Sequence, residues 1–248
     1  YDYAAGEAAK AYLGPMEKFC RHVVHVRPGV YVMFDDLRAE KPATFQWLLH
    51  TYNKIAVDTT SRSLRIENSP ARMNVHILLP QAVSFAQTDK YEPEPEEIRG
   101  RSNFKNTWHL SASTVEADRS AKFLSVFLPF REGAEDKLPK VERLEGEGAV
   151  GVRLTWPDGA ADLIGFRTDQ GVKTVRCGGM ASDGGVFAHG TDSQGRTLRR
   201  IVSPLFSFRI RSNLGLHRTC CSEDCFGPLG QDVGQALHTA WVADPNRR

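Results

Sequence analysis

Residues 31–51, YVMFDDLRAEKPATFQWLLHT, set one apolar run before two aspartates and a charged, proline-containing patch, and a second apolar run after it. Both runs have strand length and are rich in β-branched and aromatic residues, so the stretch reads as two strands. The patch Asp35-Asp36-Leu37-Arg38-Ala39-Glu40-Lys41-Pro42 is then the turn of a hairpin, with its aspartates solvating or bracing that turn. Neighbouring side chains alternate across a strand, so Asp35 and Asp36 face opposite ways and do not work together as general acid and base. His50 ends the second apolar run and is read as a buried histidine with its hydrogen bonds satisfied.

The same pattern recurs along the chain. FCRHVVHVR (19–27), SLRIEN (63–68), RMNVHILLP (72–80), NTWHLSAST (106–114), AKFLSVFLPF (121–130), GVRLTWPDG (151–159), ADLIGFRT (161–168), VKTVRC (172–177), GVFAHG (185–190), TLRRIV (197–202) and LFSFRI (205–210) are all of strand length. Four turn sequences lie between them: Trp156-Pro157-Asp158-Gly159, Thr168-Asp169-Gln170-Gly171, Ser182-Asp183-Gly184-Gly185 and Asp192-Ser193-Gln194-Gly195. Each places Asp or Ser early and Gly late, which suits hairpins between consecutive strands. The expected fold is all-β, a layered antiparallel β-sandwich with a smaller second β layer.

Two polar stretches divide it. Residues 88–105, TDKYEPEPEEIRGRSNFK, read as a long exposed loop, and residues 131–148, REGAEDKLPKVERLEGEG, as a connector. The boundaries that follow are a main sandwich over 1–130, a smaller antiparallel domain over 149–210, and an unplaced tail over 211–248. Asp232 is expected to cap a short C-terminal helix with Val233, Ala236, Leu237, Ala240 and Trp241 on one face. The amino-terminal AAGEAAKAYL is the other helical candidate, and there is no internal repeat.

Composition excludes several functions. The 248 residues are 41% hydrophobic and 25% charged, and 32 basic residues against 30 acidic leave a net charge of +2. That balance, with no basic cluster, argues against nucleic acid as a partner. No apolar run approaches the roughly 18 residues of a membrane span, and the start has no signal-peptide pattern. The first residue is Tyr rather than Met, as expected of a fragment or processed product. Of five cysteines, Cys20 and Cys177 read as buried strand residues. His217, Cys220, Cys221 and Cys225 match no established zinc spacing, so the three thiols read as a local disulfide or free cysteines in a loop.

Several stretches together carry a family resemblance. Glu7-Ala8-Ala9-Lys10-Ala11-Tyr12, then FCRHVVHVRPGVYVMFDDL with Arg21, TFQWLLHT, ARMNVHILLP, NTWHLSAST with Trp108-His109-Leu110, and AKFLSVFLPFR follow one another as in the carboxyl-terminal β region of heparinase II/III-like polysaccharide lyases. The resemblance covers roughly residues 6–168. It implies an enzyme class that joins an amino-terminal α-helical toroid to β-sandwich domains and cleaves acidic polysaccharide by β-elimination at a uronate. In that chemistry a base removes the C5 proton while the carboxylate is neutralised, and an acid protonates the leaving oxygen. The family's catalytic Tyr/His pair, and the histidines and aspartate through which some members bind zinc in the β domain, belong to segments upstream of those resembled here. Neither set is carried over onto this chain, whose own cofactor complement is expected to be none.

The expectation is therefore a C-terminal β-sandwich part of a polysaccharide lyase, inactive by itself, partnered by acidic polysaccharide and by the toroid, and located in the periplasm or outside the cell. A noncatalytic carbohydrate-binding or structural sandwich is the alternative. The candidate substrate contacts are Tyr91 and Trp108, whose rings offer flat faces to a sugar, His109, and the carboxylate-binding forks of Arg21 and Arg101. Arg27 could meet a carboxylate in the same way. Trp108 and His109 are adjacent in a strand and must point to opposite faces.

Overall fold

A computed structural model of the protein describes residues 1–12, 14–91 and 107–203. In chain order the strands are β1 (Asp2–Glu7), β2 (Met16–Val26), β3 (Val30–Ala43), β4 (Gln46–Thr51), β5 (Ala56–Asp58), β6 (Ser63–Asn68), β7 (Ala71–Leu79), β8 (Val83–Thr88), β9 (Trp108–Thr114) and β10 (Asp118–Arg131). They continue as β11 (Lys140–Gly146), β12 (Ala149–Thr155), β13 (Ala161–Arg167), β14 (Val175–Cys177), β15 (Met180–Ser182), β16 (Val186–Thr191) and β17 (Thr197–Ser203). Two 3-10 turns, Ala9–Tyr12 and Glu135–Lys137, are the only helical pieces among the described residues. No helix there is long and apolar enough to cross a membrane.

The strands form a seven-stranded sheet ordered β1-β2-β3-β10-β7-β6-β5, a three-stranded sheet β4-β9-β8, a five-stranded sheet β11-β12-β13-β16-β17 and the hairpin β14-β15. Every pairing is antiparallel. The seven-stranded sheet lies in the middle. On one face, Phe19, Met33, Leu37, Phe123 and Phe127 pack against Trp47, Leu49, Leu110 and Ala112 of the three-stranded sheet. On the other, Val24, Val32, Phe34, Leu124 and Val126 pack against Val152, Leu154, Ile164, Phe166 and Ala188 of the five-stranded sheet. Burial on both faces explains why the centres of β3 and β10 read as unbroken apolar runs, whereas the outer β4 and β8 alternate.

The hairpin β14-β15 covers the far side of the five-stranded sheet, where Ala149, Val175, Cys177 and Phe187 form a third cluster. Glycines permit this close approach. A Cβ on Gly146 would lie 1.8 Å from the carbonyl oxygen of Arg176, and one on Gly165 would lie 2.3 Å from the Phe187 ring. The loops around the hairpin are gathered by Arg167, a buried guanidinium that donates to the carbonyls of Asp169, Val172, Lys173, Asp183 and Gly184.

The turn expected over residues 35–42 does not exist. β3 runs unbroken from Val30 to Ala43, and after two further residues β4 enters a different sheet. The charged residues are tolerated mid-strand because each aspartate finds a cation on the neighbouring strand. Asp35, fully buried, accepts from Arg21 Nε at 2.6 Å and Nη2 at 2.9 Å, and Asp36, on the opposite face, pairs with Lys18. Other expectations shift too. The amino-terminal helical candidate is the edge strand β1 followed by a single 3-10 turn, and the supposed connector 131–148 contains β11, a charged edge strand. The turns at 156–159 and 192–195 do close hairpins, β12–β13 and β16–β17, with Gly159 and Gly195 at positive φ. Those at 168–171 and 182–185 instead lead into and out of the covering hairpin. The C-terminal helix expected after Asp232 and the tail 211–248 lie outside the described residues.

The central and five-stranded sheets are joined by more than apolar contact. Phe34 and Phe166 stack at 5.0 Å between ring centroids. Asp162 accepts from Tyr1 Oη at 2.5 Å, Trp156 Nε1 at 2.7 Å and both Nε and Nη2 of Arg199. Beside the phenylalanines, His22 Nδ1 lies 2.8 Å from Tyr3 Oη and its Nε2 lies 3.2 Å from Cys20 Sγ. A neutral ring protonated at Nε2 satisfies both contacts. Burial pushes the His22 pKa down to about 4, with Lys18 acting the same way and Asp36 opposing. Burial also pushes the Cys20 thiol up to about 11, so it stays protonated.

Two expectations for stability follow from these pairs. Asp35→Ala removes the fully buried carboxylate that faces the Arg21 guanidinium and should cost about 3–5 kcal/mol in urea unfolding, whereas replacing both partners by Met and Leu should cost far less. His22, depressed in the folded state, takes up its proton more readily when unfolded. Its contribution is complete above pH 6.5 and is lost as pH falls towards 4, by roughly 3 kcal/mol in all. In His22→Gln, a urea-midpoint series across that window should be flatter than in the parent; an unchanged slope would remove His22 as its source.

Candidate functional site

The period-two pattern of β4, β9 and β8 decides which side chains of the three-stranded sheet meet solvent. Trp47, Leu49, Leu110, Ala112, Val83 and Phe85 point inward onto the central sheet. The outward rows are therefore Gln46-Ser113-Ser84, Leu48-Ser111-Ala86 and His50-His109-Thr88, each lying straight across the three strands. Small polar residues leave this face shallow, with the two histidines at one end.

Tyr91 completes that end. Its ring centroid is 4.1 Å from that of His109 at an interplanar angle of 48°, and its hydroxyl oxygen is 2.9 Å from Thr107 Oγ1. On the other side of His109, the His50 ring lies 5.1 Å away, centroid to centroid. His109 is thus held between an imidazole and a phenol. Its Nε2 is shut off from solvent and has no hydrogen-bond partner among the described residues. The His50 pKa is lowered, first by partial desolvation and then by the nearby His109, which keeps the ring neutral near pH 7.

Of the residues expected at a site, Tyr91 and His109 come together. Trp108 points to the inner side of the sheet, as alternation from His109 requires; it is half-buried at the rim, with Lys54 Nζ 5.3 Å from its ring. Arg21 sits on the central sheet with its fork already committed to Asp35, and its guanidinium carbon lies 5.5 Å from the Phe19 ring. Arg27 is exposed and paired with Asp2. Arg101 lies outside the described residues.

His50 corrects the sequence reading: it is exposed rather than buried, because Trp47 and Leu49 take the inward positions of β4. The sequence signal was available in the alternation of QWLLHT, but the unbroken WLL run hid it. Lys54, in the turn after β4, carried no signal. Among the described residues no group of three or more His, Cys, Asp or Glu side chains is arranged to hold a metal ion. Cys20 and Cys177 are buried free thiols.

At the opposite end of the same sheet, a groove of about 440 Å³ opens between it and the central sheet, lined by Phe45, Pro80, Val115, Asp118 and Lys122 among others. Five residues along β9 separate His109 from Thr114, which borders the groove, a span of roughly 17 Å. The groove and the histidine end are therefore separate features. Chemically, the histidine end offers a phenol and two imidazoles for stacking and hydrogen bonding. A facing wall is missing from the described residues there.

No family model matches the chain, and no curated protein matches it. Among solved structures it is similar to the heparinase III BT4657 gene product, at 12% identity and a TM-score of 0.45, over 60% of this chain and 24% of that one. It is also similar to the heparan sulfate lyase HepC from Pedobacter heparinus, at 12% identity and a TM-score of 0.44, over 63% of this chain and 24% of that one. The likeness is distant, and the alignment takes in about a quarter of each of those proteins.

Proposed function

We propose that this chain is the β-sandwich part of a polysaccharide lyase that cleaves uronate-containing acidic polysaccharide by β-elimination, and that it has little or no activity in isolation. The observation that carries the reading is the meeting of Tyr91 and His109 on an open sheet face, at 4.1 Å between ring centroids. The ordered sequence resemblance across residues 6–168 supports it. Tyr91 and His109 enter this reading as substrate contacts, the acid and base of the reaction belonging to the upstream part of the parent protein. The phenol and imidazole planes also give a sugar ring something to lie against, and Lys54 at the rim supplies positive charge for a carboxylate.

An open face does not by itself perform the reaction. Holding a flexible polymer with its C5 proton against a base requires a second wall, which fixes orientation and excludes water. In this proposal the α-helical toroid of the parent protein is that wall, and the β-sandwich provides one side of the cleft. The compartment that goes with the substrate is the periplasm or the cell exterior. A noncatalytic carbohydrate-binding module is the second reading, favoured by the shallowness of the Ser- and Ala-lined face.

The test compares the 248-residue chain with its full-length parent on heparan sulfate and alginate, following the absorbance of unsaturated uronate. The parent should generate product and the isolated chain should stay at the no-enzyme rate. Enzyme-like turnover by the isolated chain would contradict the division of labour. Saturable glycan binding with no product from either protein would favour the binding module, and neither binding nor product would leave a structural sandwich.

A further inference from the structure

We propose that the outer face of the five-stranded sheet carries a glycan-binding surface separate from the histidine end, a shelf between Arg153 and Arg200 that holds an acidic polysaccharide by its carboxylate or sulfate groups. It lies across the central sheet from Tyr91 and His109. The inward positions of the five-stranded sheet include Val152, Leu154, Ile164, Ala188 and Ile201, so alternation turns Arg153, Leu163, His189 and Arg200 outward. Arg153 is paired in register with Leu163, Leu163 with His189, and His189 with Arg200, which makes one straight row across β12, β13, β16 and β17. Three strand spacings put the backbones of the two arginines roughly 14 Å apart.

The charge on this row is uncommitted. Other strand arginines are already paired, Arg21 with Asp35, Arg72 with Glu67, Arg143 with Glu145 and Arg199 with Asp162. Arg153 and Arg200 are exposed and form no such ion pair among the described residues. Glu142 stands beside Arg153 in the register of β11 and β12, but it is bonded to Lys140 at 2.8 Å, so two cations share one carboxylate at that end of the row. A guanidinium offers oxyanions a planar fork of donors, and two such forks along one line suit a polymer that carries an acidic group at intervals.

The shape of the row favours a hydroxyl-rich chain. The tip of the β14-β15 hairpin raises one side of the shelf, where a Cβ on Gly178 would lie 3.6 Å from Leu163 Cδ2. The other side is low, formed by the row Thr155-Ala161-Thr191-Thr197, and His189 Nε2 lies 2.9 Å from Thr197 Oγ1. Successive large aromatic rings, on which single-stranded nucleic acid stacks, are absent from the row. Leu198 and Val202, exposed on the same strand as Arg200, make an anionic membrane surface the rival occupant that the experiment must separate. The identity of the occupant as an acidic glycan rests on the polysaccharide reading above; the uncommitted charge does not.

The experiment follows the fluorescence anisotropy of end-labelled heparan sulfate fragments titrated with the 248-residue chain at low and at raised salt, with neutral dextran and phosphatidylglycerol vesicles as the other probes. Heparan sulfate should bind, less tightly at raised salt, and dextran should not. The double variant Arg153→Gln, Arg200→Gln should bind roughly tenfold more weakly, whereas Arg131→Gln, which removes an exposed arginine at the end of β10, should bind as the unsubstituted chain does. Circular dichroism checks that each variant is folded. No binding at low salt, dextran binding of equal strength, an equal loss in Arg131→Gln, undiminished binding in the folded double variant, or vesicle binding as tight as that of heparan sulfate would each overturn the proposal. Undiminished binding in the double variant, with unsaturated uronate released by the full-length parent, would remove this surface and leave the lyase reading standing; loss of binding in the double variant, with no product from the parent, would do the reverse.

Discussion

Met33 and Phe34 are neighbours in one strand and belong to two different cores. That single fact organises the molecule. The central sheet is wedged between two others, so every strand segment through its middle must be apolar on both sides, and any polar group there must bring its own partner. Arg21 with Asp35 on one face and Lys18 with Asp36 on the other are the consequence. The candidate site inherits its rigidity from the same constraint, because the inward residues of β4 and β9 are locked into the first core while their outward neighbours face solvent.

The layered all-β fold was legible because its strands announce themselves twice over: by unbroken apolar runs where both faces are buried, as in FLSVFL, and by Asp/Gly turns where hairpins close. What could not be read locally was decided by pairing over long sequence distances. Nothing within residues 35–42 reveals that Arg21 and Lys18 wait on the adjacent strand, so two aspartates in mid-strand looked like a turn. β11 was hidden for a similar reason. An edge strand needs only one partner and tolerates charge along its length, so KVERLEG reads as polar linker until β12 is placed beside it. β1 also looked helical, since its alanines have high helix propensity and only its pairing with β2 makes it a strand.

The site was legible in part. Trp108 and His109 had to face opposite ways, and they do; the aromatic Tyr91 in an acidic loop stood out by residue type. That Tyr91 lies against His109, and His50 on its other side, depends on β9 running between β4 and β8, which is a matter of topology rather than of local pattern. Arg21 illustrates the reverse error. A guanidinium suits a sugar carboxylate as well as it suits a buried aspartate, and the choice is made by which one the fold places 2.6 Å away.

Native-state hydrogen exchange tests most directly whether one doubly buried sheet holds the whole structure together. If it does, backbone amides in β3 and β10 and those in β12 and β13 should exchange only through the same global opening, with matching protection and matching sensitivity to urea. Release of the β12–β13 amides at clearly lower free energy, while β3 and β10 stay protected, would contradict this and make the five-stranded sheet an independent unit resting on the first.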